Sequence, residues 1–426
     1  MSTAATPVGR PGRPGSAANH RWPTEIWTLM VGTLLVRGLG FIYPFLPYHL
    51  NDLHLSTQTV STILGVFGAG WLLGSILCGL LADRIGHRAT LMTAMLLAVA
   101  TLPLLAQAQD LPALFAATFV AGVVYDAPRP VFTAAIADSF AEDGIRASVN
   151  AWRHFAVNVG AAIAGTAGGV LAAPLGIRAL IWSNAGACLL FAVLVWRFVR
   201  PTRREDRSAR SGRANSGSYR AAVRDKALWL LLLASLCALT CAASLFSSLP
   251  MLMAADGLSA ADYGWTQTAN AAAVLIASPF LNRWLSRQAD GPTAMTGLFA
   301  ASSVALGTSM GAAGFASTTS GYATAAALAV PGEIVVFVAA ADILSRLSPP
   351  DARGLYAGIW GTTLAGAVII APALAGWALT HGGGRLAAAT TFTVGILGAV
   401  LAWPLAAQVR RAHPAETTPT EQVPND

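Results

Sequence analysis

Long apolar runs, separated by short polar interruptions, dominate this chain. Twelve stretches each hold roughly 20 or more mostly apolar residues: about 24–48, 58–81, 89–108, 111–137, 147–172, 178–199, 226–250, 261–284, 292–315, 320–347, 354–379 and 385–407. A helix of about 20 residues crosses the hydrocarbon core of a bilayer. Within lipid, every backbone N–H and C=O must be satisfied inside the segment, so each stretch reads as a helix. Ala, Leu and Gly recur without the two-residue alternation of a membrane barrel. The pattern predicts an all-α integral membrane protein of twelve spans, numbered 1 to 12 in chain order.

The longest internal interruption, Pro201 to Asp225, is crowded with Arg, Ser and Gly and reads as a solvated, largely disordered linker. It divides the spans six and six. The predicted organisation is a disordered tail (1–23), a six-helix bundle (24–199), the linker (200–225), a second six-helix bundle (226–407) and a polar tail (408–426). The first 23 residues are rich in Pro, Gly and Arg and have no apolar core. They read as a tail rather than a cleavable signal, with span 1 as an uncleaved insertion signal. The two halves also echo each other. Aligning Arg146 with Arg353 brings Asp126 onto Glu333 and Gly169 onto Gly376, and Leu46-Pro47 with Leu55-Ser56 matches Leu249-Pro250 with Leu258-Ser259. A parallel six-helix repeat of this kind holds its substrate near the midplane, between the halves.

Charge changes the picture by its placement. Of 426 residues only 11% are charged, against 55% hydrophobic, with a mean hydropathy of +0.57. The formal net charge is +7, yet 22 of the 27 Lys and Arg residues lie in the tails and in the loops after spans 2, 4, 6, 8 and 10. Only Arg178 and Arg385 fall in the opposite loops. Such asymmetry places both termini in the cytoplasm and makes the basic charge an orientation signal, not a nucleic-acid surface. Cys78, Cys188, Cys237 and Cys241 all lie in spans, where they read as small buried residues rather than metal or redox centres.

The loop between spans 2 and 3 reads Gly79-Leu80-Leu81-Ala82-Asp83-Arg84-Ile85-Gly86-His87-Arg88. It resembles the signature loop of the major facilitator superfamily, G-x-L-A-D-R-x-G-R-K/R. The resemblance implies two pseudo-symmetric six-helix bundles and a cytoplasmic gate made by Gly79, Asp83, Arg84, Gly86 and Arg88. Asp138, at the end of span 4, is the candidate partner. The family usually carries Arg where His87 stands, and Arg88 is expected to take over that contact. In span 5, Gly160, Gly165 and Gly169 keep the glycine spacing of the G-x-x-x-G-P-x-x-G-G motif of the family's exporters. Gly165 replaces the proline, and the three are read as a hinge. Arg37 with Pro44-Phe45-Leu46-Pro47-Tyr48, Tyr125 to Pro130, and Gly332-Glu333 resemble the family's twelve-span multidrug exporters.

Arg37, Asp126 and Glu333 each fall near the middle of a span, where a charge costs several kcal/mol unless paired or hydrated. They form the candidate substrate and proton site, with Asp126 or Glu333 exchanging the proton and Arg37 tuning it or binding an anionic group. A pairing of Asp126 with Arg129 or Arg37 for structure alone stays open, and Arg129 and Arg153 are expected to snorkel or to meet loop acids. No phosphate-binding loop and no H-E-x-x-H zinc motif occurs in the sequence. The resulting expectation is a monomeric secondary transporter in the cytoplasmic membrane, not an enzyme, without metal or cofactor, moving a small organic compound by proton-coupled efflux. Two alternatives remain: uptake or exchange of a small organic anion with Arg37 as its clamp, and a non-transporting receptor or scaffold of the same fold.

Overall fold

The computed structural model describes residues 22–140, 142–201, 216–288, 294–349 and 352–412. Most of both predicted tails and of the linker therefore lies outside the described residues. Those described form helices and connecting turns, with no strand among them. In chain order the helices are α1 (Thr24–Gly38), α2 (Ile42–Asp52), α3 (Thr57–Ile85), α4 (His87–Gln107), α5 (Leu111–Tyr125), α6 (Pro128–Ser139), α7 (Asp143–Phe198), α8 (Ser216–Arg224), α9 (Lys226–Ala243), α10 (Ser248–Ala255), α11 (Ala260–Gln288), α12 (Ala294–Ala312), α13 (Thr319–Leu347) and α14 (Arg353–Ala412). Helix α8 corrects the reading of the linker, whose last residues are helical.

Local chemistry explains where helices start and stop. Ser56, Asp110, Asp225 and Thr318 each accept a hydrogen bond from a backbone N–H in the first turn that follows, satisfying a donor that would otherwise be orphaned. Spans 1, 4 and 7 are each broken midway, at Leu39–Phe41, Asp126–Ala127 and Ser244–Ser247. In every case prolines enter the first turn of the continuing helix: Pro44 in α2, Pro128 and Pro130 in α6, Pro250 in α10. A proline has no N–H and clashes with the carbonyl four residues back, so it suits a helix start and interrupts a helix interior.

Nine helical segments among the described residues are long and apolar enough to cross a bilayer. Two of them, Ser148–Phe198 and Arg353–Arg410, run to 51 and 58 residues, about twice one crossing. Each is divided by a glycine, Gly176 (φ 76°, ψ 156°) and Gly383 (φ 66°, ψ −155°), at the boundaries expected between spans 5 and 6 and between 11 and 12. Gly86 (φ 85°, ψ 164°) makes the same one-residue connection from α3 to α4. Residues with a Cβ scarcely populate that backbone region. Helix α11, at 29 residues, has the length of a further crossing. It is more polar than the nine, because Gln267 and Asn270 are buried along it.

The helices pack as two groups. In the first, α1 and α4 lie on α7 and α3 lies on α5; in the second, α9 and α12 lie on α14, and α11 and α12 on α13. The groups meet through α3 against α14, α7 against α11, and α2 against α10. These contacts are very close. A Cβ built on Gly376 would sit 2.3 Å from that of Ser61, and one on Gly169 would sit 2.4 Å from the Cα of Gly264. Thr166 and Thr268 share a 2.9 Å hydrogen bond across the same seam. Small residues at this seam let backbones approach, which is how helices associate where lipid removes the hydrophobic drive. Toward the opposite ends of these helices, Gly79, Gly354, Gly358 and Gly361 have no atom within 4 Å of where a Cβ would stand.

Candidate transport cavity

Two helix breaks bring Arg37 and Asp126 together. Arg37 occupies the last turn of α1, just before the break at Leu39, and Asp126 is the first residue after α5. The Arg37 guanidinium donates through Nη2 to Asp126 Oδ1, and through Nη1 to the Tyr125 hydroxyl at 3.0 Å. Its Cζ also lies 4.8 Å from the centre of the Tyr125 ring. Asp126 Oδ2 receives the Nε–H of Arg129, in the first turn of α6, and the indole N–H of Trp71 at 3.0 Å. The Asp126 side chain is only 2% exposed. With two guanidinium groups and an indole on its oxygens, it is a satisfied buried acid.

Aromatic rings surround this cluster. Tyr43 stacks on Phe67 at 5.3 Å, Trp71 meets Tyr125 edge-on at 5.0 Å, and Tyr43 reaches across to Phe246 of the second group at 5.6 Å. Above them lies a cavity of about 360 Å³. Its first wall includes Arg37, Trp71, Asp126, Arg129, Arg153 and Asn158; its second includes Phe246, Gln267, Glu333, Phe337, Leu364 and Val368. A second cavity of about 140 Å³ adjoins it, and Asn158, Phe246, Gln267 and Glu333 border both. Glu333 reaches this place from α13, two residues after Pro331. Half-buried, it forms no hydrogen bond or ion pair among the described residues.

The sequence-derived candidates thus divide. Arg37 and Asp126 are in direct contact, and Glu333 faces the same cavity without touching either. The signature loop is arranged differently from the expectation. Asp83 and Arg84 are exposed and make no ion pair among the described residues. His87 is buried, with Nδ1 3.3 Å from Glu25 of α1 and Nε2 3.4 Å from Asp138 at the end of α6. Arg88 donates instead to the Trp196 carbonyl at 2.8 Å, so Arg88 does not replace the family's arginine at that contact; His87 itself makes it. Gly160, Gly165 and Gly169 lie on continuous helix. A Cβ on Gly160 would fall 2.6 Å from that of Arg37, and one on Gly165 would fall 2.3 Å from that of Gln267. They act as contact surfaces, and the non-helical point of α7 is Gly176.

Arg129 departs from its expected place by bonding the buried Asp126, and Arg153 departs from it too. Rather than snorkelling or meeting a loop acid, it lines the cavity. Nη1 donates to the Thr133 hydroxyl at 3.0 Å and to the Arg129 carbonyl at 3.4 Å. The signal was present in span 5: Arg153, Val157, Ala161, Ala164 and Gly165 follow helical spacing, and all of them line the cavity. Cys78, Cys188, Cys237 and Cys241 are unpaired thiols. Among the described residues no cluster of His, Cys, Asp and Glu could hold a metal ion.

The sequence model of the Major Facilitator Superfamily matches residues 28–260 and 244–425. The chain belongs to this family. Membership makes this facilitator a multi-pass membrane protein and a secondary transporter of small substrates, not an enzyme. Its fold is similar to that of a peptide transporter POT solved in complex with sulfate (TM-score 0.70, 16% identity, covering 92% of this chain and 95% of that one). It is also similar to a POT family transporter in complex with 5-aminolevulinic acid (TM-score 0.73, 14% identity, 92% and 97%), and to a peptide transporter POT mutant in complex with alafosfalin (TM-score 0.70, 16%, 92% and 95%). These neighbours are peptide transporters rather than drug exporters, and at such identities they speak to fold alone. No curated protein matches this chain in sequence.

Proposed function

We propose that this facilitator is a twelve-span, proton-coupled exporter of a small organic compound in the cytoplasmic membrane. Its two bundles, 24–199 and 226–407, alternate access to the central cavity. The observation that carries the reading is the contrast between the two membrane-embedded acids. Asp126 is held by Arg37, Arg129 and Trp71, so its charge is structural. Glu333 borders both cavities without a partner among the described residues. An unpartnered acid within a span is a natural carrier of the coupling proton. Competition between proton and substrate for Glu333 couples their movements in opposite directions.

The positive-inside asymmetry puts the Gly86 end in the cytoplasm. The close seam through Gly376, Gly169 and Gly264 then lies toward the exterior, and the conformation is open inward. Asp83 is exposed in this state and makes no ion pair among the described residues, in keeping with a gate that forms only when the cavity faces out. The exporter-like motifs of spans 1, 4 and 10 favour efflux. The alternative of anion exchange with Arg37 as clamp loses support, because Arg37 is occupied by Asp126 and Tyr125.

Proteoliposomes under an imposed pH gradient test the proposal, with norfloxacin as the transported probe. Glu333→Gln is expected to lose gradient-driven flux while keeping exchange of labelled for unlabelled probe. Unchanged gradient-driven flux in Glu333→Gln would overturn it.

A further inference from the structure

The charges lining the cavity are unequally divided between its walls. On the first bundle stand Arg37, Arg129 and Arg153 against the single acid Asp126. Arg37 and Arg129 share Asp126, so that trio retains one positive charge. Arg153 adds a second, since its hydrogen bonds go to a hydroxyl and a backbone carbonyl, both neutral. His154 on the same wall adds no negative charge. The second bundle contributes one charged group to the cavity, Glu333.

An occupant must answer both walls. A molecule bearing only positive charge would satisfy Glu333 but meet the surplus cations of the first wall. One bearing only negative charge would suit Arg153 and leave the Glu333 carboxylate desolvated without a counter-charge, a costly arrangement. Rejection of the wrong charge is as much a part of selectivity as attraction of the right one. The same lining is otherwise largely apolar and aromatic, with Tyr43, Phe246 and Phe337 among it. The volume of about 360 Å³ falls at the small end of cavities that hold drug-sized molecules.

We infer that the substrate is an amphipathic zwitterion. Its anionic group binds at Arg153, its apolar middle lies among the aromatic rings, and its cationic group binds at Glu333. This rests on the transporter reading above and names the substrate class of the same site. It also states what the proton displaces: the protonated amine of the substrate and the coupling proton occupy the Glu333 carboxylate in turn.

Equilibrium dialysis against the full-length chain in lipid nanodiscs, without a pH gradient, tests it with three probes on one scaffold. Norfloxacin carries both charges, its ethyl ester only the positive one, and its N-acetyl derivative only the negative one. Norfloxacin is expected to bind at least about tenfold more tightly than either derivative, as for one charge-assisted contact. Arg153→Gln should weaken norfloxacin and the N-acetyl derivative about tenfold and leave the ester no weaker, with Arg153→Lys restoring most of the loss. Glu333→Gln should weaken norfloxacin and the ester and spare the N-acetyl derivative, with Glu333→Asp as the conservative control. The inference is overturned if a singly charged derivative binds within about twofold of norfloxacin, if both variants weaken all three probes equally, or if none of the three binds. Gradient-driven flux that depends on Glu333, without charge preference at equilibrium, would overturn this inference and leave the transporter reading intact. Charge preference without gradient-driven flux would do the reverse.

Discussion

Replacing Gly169 by leucine tests whether the seam between bundles holds the inward-open state. A Cβ on Gly169 would stand 2.4 Å from the Cα of Gly264, and one on Gly264 would stand 2.3 Å from the Cα of Gly169. Carbon atoms rest about 3.5–4.0 Å apart, so α7 and α11 must separate by more than about 1 Å. Both obstacles are backbone atoms, and no rotamer change relieves them. Overpacking costs about 1–3 kcal/mol; a backbone-to-backbone clash belongs at the upper end, roughly 3 kcal/mol. That penalty falls only on the conformation in which the seam is closed, so the equilibrium shifts by about 10²-fold toward the alternative. The assay is maleimide labelling of Ser61→Cys in a background with Cys78, Cys188, Cys237 and Cys241 changed to alanine. Ser61 is 1% exposed and lies in the same seam, against Gly376. Labelling by a membrane-impermeant maleimide should accelerate at least about tenfold in Gly169→Leu. Gly186→Leu, on the same helix with nothing within 4 Å, should leave the rate unchanged. An unaltered rate in a folded Gly169→Leu protein, or an equal rise in Gly186→Leu, would refute the reasoning.

Asp126→Ala leaves Arg37 and Arg129 without their acid and should destabilise the chain by about 3–5 kcal/mol. In SDS-driven unfolding, the Arg37→Ala, Asp126→Ala double variant should fall short of the summed single losses by at least about 1 kcal/mol; strict additivity would show the pair to be uncoupled. Gly86→Leu forces a side chain into a backbone region reserved for glycine and should cost about 1–3 kcal/mol. By contrast Gly79→Ala, inside α3 with open space at its Cβ, should stabilise by about 0.5–1 kcal/mol. Denaturation midpoints for the two variants should therefore move in opposite directions. Trp71→Phe removes the indole N–H from Asp126 while keeping the ring and should cost about 1.5–3 kcal/mol, readable as a lower thermal midpoint in detergent.

Much of the fold is legible in the chain. Among the described residues the long apolar runs are helical apart from their breaks, because a peptide group in lipid has nowhere else to bond. The glycines at 86, 176 and 383 and the prolines at 44, 128 and 250 mark the turns and breaks, since their backbone constraints act within a few residues. Arg37, Asp126 and Glu333 stood out for a similar reason: a charge amid twenty apolar residues needs an explanation that depends on no other part of the chain.

How those charges pair could not be read this way. In a soluble helix the apolar stripe fixes which face turns inward. A span is apolar on its lipid face and its packed face alike, so its rotation is set by neighbouring helices and the fit of small residues. Only the assembled bundles decided that Arg37 and Arg129 share Asp126, that Arg153 turns into the cavity, that His87 joins Glu25 to Asp138, and that Glu333 faces open space. Local sequence determined the helices and their breaks, because backbone hydrogen bonds close within a single turn. Tertiary structure decided which charge is satisfied and which is left for function, because contacts between helices depend on rotation and approach that no one segment encodes.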